Sequence, residues 1–98
     1  MIEHIVLIKF SPNTLKEQID EVIQQTKAFR GVIPGIIDLQ EGHNFSERSQ
    51  GYDLGLTVRL VNKEALEKYQ VHPKHKEVRR YMEEIGLLDI IVVDFEID

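Results

Sequence analysis

The chain contains neither cysteine nor tryptophan. The lack of cysteine removes disulfides, thiolate metal sites and cysteine nucleophiles together, and it suits a reducing compartment. Positive charge is also scarce. Twelve Lys and Arg stand against seventeen Asp and Glu, giving a net charge of −5. The cations are scattered and form no stripe that would track a phosphate backbone, so nucleic acid is not an expected partner. No stretch approaches the roughly 20 apolar residues that span a membrane. The opening Met1-Ile2-Glu3-His4-Ile5 places an acid and a histidine where a secretory signal needs a basic start and an apolar run. A cytoplasmic protein is expected. The sequence also lacks a P-loop, a dinucleotide-binding glycine fingerprint and a serine nucleophile elbow, and no cofactor is expected.

What is present is an ordinary globular composition, 42% hydrophobic and 30% charged over 98 residues. That length suits one domain, 1–98, with little core to spare. Ile2 to Phe10 is apolar and β-branched and reads as a strand. Ser11-Pro12-Asn13-Thr14 breaks it, with Asn13 or Thr14 as a helix cap and Glu17 in the capping-box position relative to Thr14. Leu15, Ile19, Val22, Ile23, Thr26 and Phe29 then recur at helical spacing and define one inward face. Gly31 and Pro34-Gly35 end that helix. Ile36 to Glu41 reads as a second strand, Gly42 to Gly51 as a polar loop, and Tyr52 to Leu60 as a third strand with strict alternation.

Asn62 is a cap for a second helix whose inward face carries Ala65, Leu66 and Tyr69. His72-Pro73 interrupts it, and Pro73 suits the first position of a new helical piece bearing Val78, Tyr81, Met82 and Ile85. Gly86 stops that piece, and Leu87 to Phe95 is the last strand. The order β-α-β-β-α-β with right-handed crossovers predicts an α+β fold, a four-stranded antiparallel sheet with both helices on one face. The first and last strands are apolar on both sides: Ile5 and Leu7 alternate with Val6 and Ile8, and Ile91, Val93 and Phe95 with Ile90 and Val92. Strands of this kind are buried on both faces. No loop is apolar enough to cover the second face, which points to another copy of the chain packed by a two-fold axis.

The sharpest local feature is Tyr69-Gln70-Val71-His72-Pro73-Lys74-His75. Tyr69 lies on the apolar stripe of its helix, and His75 precedes Val78 by three residues, so both face inward. His4 is in phase with Val6 and Ile8 on the first strand. If that phase faces the helices, two imidazoles and a phenol converge between sheet and helices. Such groups can move protons near neutrality, and the helix N-terminus disfavours the His75 imidazolium. The same pattern also describes core residues whose polar atoms are satisfied within the protein, and spacing alone leaves both readings open. His72 and His75 stand three apart, but Pro73 lies between them and no acid shares their face, so no metal site is expected. His43, Asp38, Glu41 and Glu83-Glu84 read as solvated.

The chain resembles the stress-responsive A/B barrel (Dabb) family. The resemblance runs nearly end to end: His4 before a strand ending Lys9-Phe10, the Pro34-Gly35 turn, Gly42, Gly51-Tyr52, and above all Tyr69-x-x-His72-Pro73-x-His75. It implies a ferredoxin-like fold and a homodimer whose two sheets close into an α/β barrel, with larger rings in some relatives. One plant member of the family is a polyketide cyclase whose tyrosine and histidine of this motif fall on Tyr69 and His75, and whose first-strand histidine falls on His4. The resemblance therefore implies Tyr69 and His75 as catalytic candidates and a pocket with His4, Val6, Val22, Ile23, Thr26, His72 and Met82 as its ligand-binding lining. Two departures separate this chain from that cyclase: Leu54 stands where it has a histidine, and Thr26 where it has a tyrosine. Three functions follow as expectations: a pocket for a small apolar or polyketide-like ligand with acid/base chemistry, a non-catalytic oligomeric domain associated with stress, and a haem-type or cofactor-free monooxygenase.

Overall fold

The computed structural model describes residues 1–97. Strands β1 (Ile2–Phe10), β2 (Ile36–His43), β3 (Leu54–Leu60) and β4 (Leu87–Glu96) form one sheet in the order β2-β3-β1-β4. The strand pairs within it are antiparallel. Helix α1 (Lys16–Lys27) continues into a 3₁₀ turn (Ala28–Gly31), and α2 (Lys63–Val71) and α3 (Pro73–Ile85) connect β3 to β4. This is the ferredoxin-like βαββαβ arrangement expected from the sequence, with its second helix broken in two.

Alternation decides which side of the sheet meets the helices. Val6, Ile8 and Phe10 of β1 and Leu54, Leu56, Val58 and Leu60 of β3 are buried. They form one core with Ile19, Val22 and Ile23 of α1, Ala65 and Tyr69 of α2, and Val78 and Met82 of α3. The register pairs Val6 with Val92 and Ile8 with Ile90, which sets those two residues of β4 on the same side. The opposite side carries Ile5 and Leu7 beside Val93 and Ile91. Leu7, Ile91, Val93 and Phe95 are exposed there, so no part of the described chain covers this apolar stripe.

The break between α2 and α3 is built by local chemistry. Asn62 accepts a hydrogen bond from the Ala65 amide and caps α2. His72 adopts an extended backbone, ends α2 and caps α3, where its Nδ1 accepts from the Lys74 amide, and Pro73 follows as the first helical residue. Gly86 ends α3 in the left-handed region at φ 115°. A side chain at Gly86 would also meet the Thr14 hydroxyl at 2.7 Å.

Several local expectations need correction. The cap of α1 is Leu15 rather than Asn13 or Thr14. The Thr14 hydroxyl donates instead to the Ile85 carbonyl at the end of α3, while Gln18 accepts from the Leu15 amide. Leu15 consequently lies outside the apolar face and is exposed. Strand β3 begins at Leu54, not Tyr52, and β2 extends to His43. Glu41 is not a solvated side chain: one of its carboxylate oxygens is buried without a partner among the described residues. Burial raises its pKa, against the lowering influence of Lys27 and Arg30.

Candidate functional site

Four rings meet between the sheet and the helices. Tyr69, from the last turn of α2, is fully buried and stands edge-on to His75, with ring centroids 4.9 Å apart. His4 approaches the other side of Tyr69 at 5.5 Å, also edge-on. Phe29, in the 3₁₀ turn after α1, packs edge-on to Tyr69 at 5.8 Å and lies roughly parallel to His75 at 6.2 Å. The helix break makes this cluster possible. It turns the chain between Tyr69 and His75, so a residue from the end of one helix and one from the start of the next face the same space.

That space is a cavity of about 190 Å³. Its inner wall is Val6, Ile8 and Leu56 from the sheet, Thr26 and Phe29 from the first helical segment, and Val78 and Met82 from α3. His4, Tyr69 and His75 border it directly. Gln70, Arg79, Ile90 and Val92 stand where it opens between α2, α3 and the edge strand β4. Of the residues singled out from the sequence, His4, Val6, Thr26, Tyr69, His75 and Met82 are thus brought together. Val22 and Ile23 are buried in the core and do not border the cavity. His72 lies at the α2–α3 junction as a helix cap. His43 is remote, at the end of β2, where its Nε2 pairs with Asp20 at 2.6 Å.

The polar atoms of the cluster differ in how they are used. The Nδ1 of buried His4 hydrogen-bonds the Asp94 carboxylate, from the neighbouring register position on β4. That bond fixes the orientation of the His4 ring and leaves Nε2 as its second ring nitrogen. Burial alone pushes the Tyr69 phenol well above its ordinary range, so it stays an O–H donor at neutral pH. No group among the described residues hydrogen-bonds it. His75 is half-buried, and its pKa is lowered from 6.5 by burial first, and then by the charge influence of His4 and Arg79. It is therefore held as a neutral imidazole near pH 7. An apolar slot with an unused phenolic donor beside a neutral imidazole can bind a carbonyl oxygen and accept a proton from the carbon next to it.

Asp94, Gln70 and Arg79 were not among the residues singled out from the sequence. Asp94 carries a signal of sorts, as an acid within the apolar run Val92-Val93-Asp94-Phe95. Its partner is 90 positions away and becomes apparent only once β1 and β4 are paired. Gln70 and Arg79 sit on the polar sides of their helices and look like ordinary solvated positions until the opening is located.

Fold and slot together define a ferredoxin-like α+β protein with a histidine- and tyrosine-lined pocket on the helical side of its sheet. The sequence profile of the stress responsive A/B barrel domain, Dabb, matches residues 2–97, and the chain belongs to that family. A search of curated proteins finds no match. Among solved structures, a dimeric ferredoxin-like protein of unknown function from Thermobifida fusca superposes with a TM-score of 0.85 at 23% identity, covering 98% of this chain and 90% of that one. An Arabidopsis thaliana protein matches with a TM-score of 0.85 at 24% identity, over 100% and 96% of the two chains. A hydroxynitrile lyase from Passiflora edulis matches with a TM-score of 0.84 at 16% identity, over 99% and 93%. At these identities the likeness is one of fold. No helix among the described residues is long and apolar enough to cross a membrane.

Proposed function

We propose that the protein binds a small, largely apolar carbonyl compound in the slot and transfers a proton on it. The observation that carries this reading is the pairing of Tyr69 and His75, 4.9 Å apart, both lining the cavity and neither engaged by a protein hydrogen-bond partner among the described residues. Tyr69 donates its O–H to the carbonyl oxygen. His75 takes a proton from the adjacent carbon, the C–H electron pair moves toward oxygen, and the resulting enolate is held by the Tyr69 hydrogen bond. Return of the proton at another atom, or attack of the enolate carbon on a second carbonyl as in an aldol ring closure of a polyketide, completes the cycle without a redox step. His4 with Asp94, together with Val6, Thr26 and Met82, shapes the rest of the site. An engineered apolar cavity of about 150 Å³ accommodates benzene, so a body of one ring and a carbonyl suits the size available here. A hydroxynitrile lyase built on the same fold supports an enzymatic reading of the architecture, though not of the substrate.

We also propose that the exposed apolar stripe of Leu7, Ile91, Val93 and Phe95 is covered by a second copy of the chain, giving a two-fold homodimer. Structures with this fold described as dimeric support the assembly. The stripe lies on the face of the sheet opposite the slot, so the pocket does not depend on the partner for its walls.

The test of the pocket is deuterium incorporation from heavy water at the carbon next to the carbonyl of acetophenone and small alkyl ketones, followed by proton NMR. The protein accelerates exchange above the rate of free imidazole at equal concentration. His75→Gln returns the rate to that background, and Tyr69→Phe lowers it by roughly a hundredfold, the scale of losing one oxyanion donor. No acceleration with any ketone that fits the slot contradicts the proposal.

A further inference from the structure

We infer that the ligand of this slot carries an anionic group, a carboxylate or a phosphate, which docks at the cavity opening on Arg79 with Gln70 beside it. This rests on the small-molecule reading above and specifies the class of molecule it concerns.

The lining divides into two zones. The inner residues are apolar apart from the rings and Thr26, whose hydroxyl is spent on the Ile23 carbonyl, whereas the exposed members at the opening include one cation, Arg79, and one amide, Gln70. Arg79 also borders the groove immediately outside, together with Gln70, His75, Lys76, Arg80 and Glu83. That groove gathers three cations against one acid, on a chain whose net charge is −5. Two further acids stand nearby: Asp94 has its carboxylate on His4, and Asp89, which shares a neighbouring groove with Arg79, Ile90 and Val92, accepts from the Tyr52 hydroxyl.

Arg79 itself is only lightly engaged. Its Nε donates to Glu83 at 3.2 Å in an i,i+4 pair, with both side chains more than half exposed. A pair of this kind contributes little, and the two terminal nitrogens remain available for a fork-like contact. Arg79 is also one helical turn after His75, so the guanidinium and the imidazole lie along the same face of α3. A turn rises about 5.4 Å, which sets the anionic group a few carbon atoms from the carbon that loses its proton. The ligand class is thus a short keto acid or keto phosphate with its apolar end inward, against Leu56 and Met82.

Isothermal titration of the full chain with three probes tests this: 4-oxo-4-phenylbutanoate, its methyl ester and 3-oxo-3-phenylpropyl phosphate. At least one anionic probe binds about tenfold more tightly than the ester, the scale of one charge-assisted hydrogen bond in partly exposed surroundings. Which anion wins identifies the carboxylate or the phosphate as the natural group. Arg79→Gln abolishes the preference. Glu83→Gln, which frees the guanidinium, strengthens the anion selectively, and 0.5 M NaCl weakens it selectively. Equal affinities for all three probes, or a preference that survives Arg79→Gln, overturns the inference while leaving the pocket reading intact. Absence of binding by every probe overturns both.

Discussion

Replacing Ile91 by aspartate places a charge in the middle of the exposed apolar stripe without touching the helical side of the sheet. Ile91 lies opposite Leu7 on β1, with Val93 and Phe95 further along β4. Leu7, Ile91, Val93 and Phe95 retain 37%, 40%, 48% and 45% of their accessible surface. Full burial of such a side chain contributes roughly 1.5–3 kcal/mol, so covering the remaining surface contributes about 1 kcal/mol per residue and about 8 kcal/mol over four residues on two protomers. That falls within the roughly 4–15 kcal/mol that association costs, so covering the stripe offsets much of that cost. Symmetry doubles any change. Ile91→Asp forfeits about 2 kcal/mol of burial across the dimer and desolvates two carboxylates at several kcal/mol each. The dissociation constant should therefore rise by at least about 10⁴-fold. Sedimentation velocity at micromolar concentration is expected to give a dimer for the wild type and a monomer for the variant, with far-ultraviolet circular dichroism reporting whether the monomer stays folded. A wild-type monomer at these concentrations, or an Ile91→Asp dimer, refutes the reasoning.

Other outcomes follow from the same structure. Tyr69→Phe removes a hydroxyl that has no protein partner among the described residues, so thermal stability should change by less than about 0.5 kcal/mol even as ketone exchange falls; a loss of several kcal/mol would show that the hydroxyl is structural after all. Because the folded protein holds the His75 pKa below 6.5, the native state binds this proton less readily than the unfolded chain. The stability contribution of neutral His75 is present above pH 6.5 and is lost as pH falls below it, and NMR titration of the imidazole protons should show a midpoint below that of a free histidine. Gly86→Ala places a side chain at φ 115° and against Thr14, and should cost about 1–3 kcal/mol in urea denaturation.

Much of this architecture was legible because it depends on local rules. Alternation in Leu54 to Leu60 gave the buried face of β3, and the His72-Pro73 pair gave both the end of α2 and the start of α3. The inward positions of Tyr69 and His75 followed from helical spacing on either side of that break. The features that escaped depend on residues distant in sequence. Thr14 has the chemistry of a cap, but the Ile85 carbonyl, 71 residues away, takes its hydroxyl. Asp94 is an acid in an apolar strand whose partner becomes visible only when antiparallel pairing sets it beside His4. Glu41 reads as an ordinary edge-strand acid, and only the folded chain shows one of its oxygens buried. Arg79 occupies the exposed face of its helix, which is also where a pocket must open if ligands are to enter.

Central to the proposed function is a hydrogen bond from the Tyr69 hydroxyl to the carbonyl oxygen of a bound ligand. A crystal structure of the protein soaked with acetophenone and, separately, with 4-oxo-4-phenylbutanoate examines it. The expected result is ligand density in the slot, with the ketone oxygen within hydrogen-bonding distance of the Tyr69 hydroxyl and the adjacent carbon facing His75. An empty slot beside ligand bound elsewhere, or a ketone turned away from Tyr69, would contradict it.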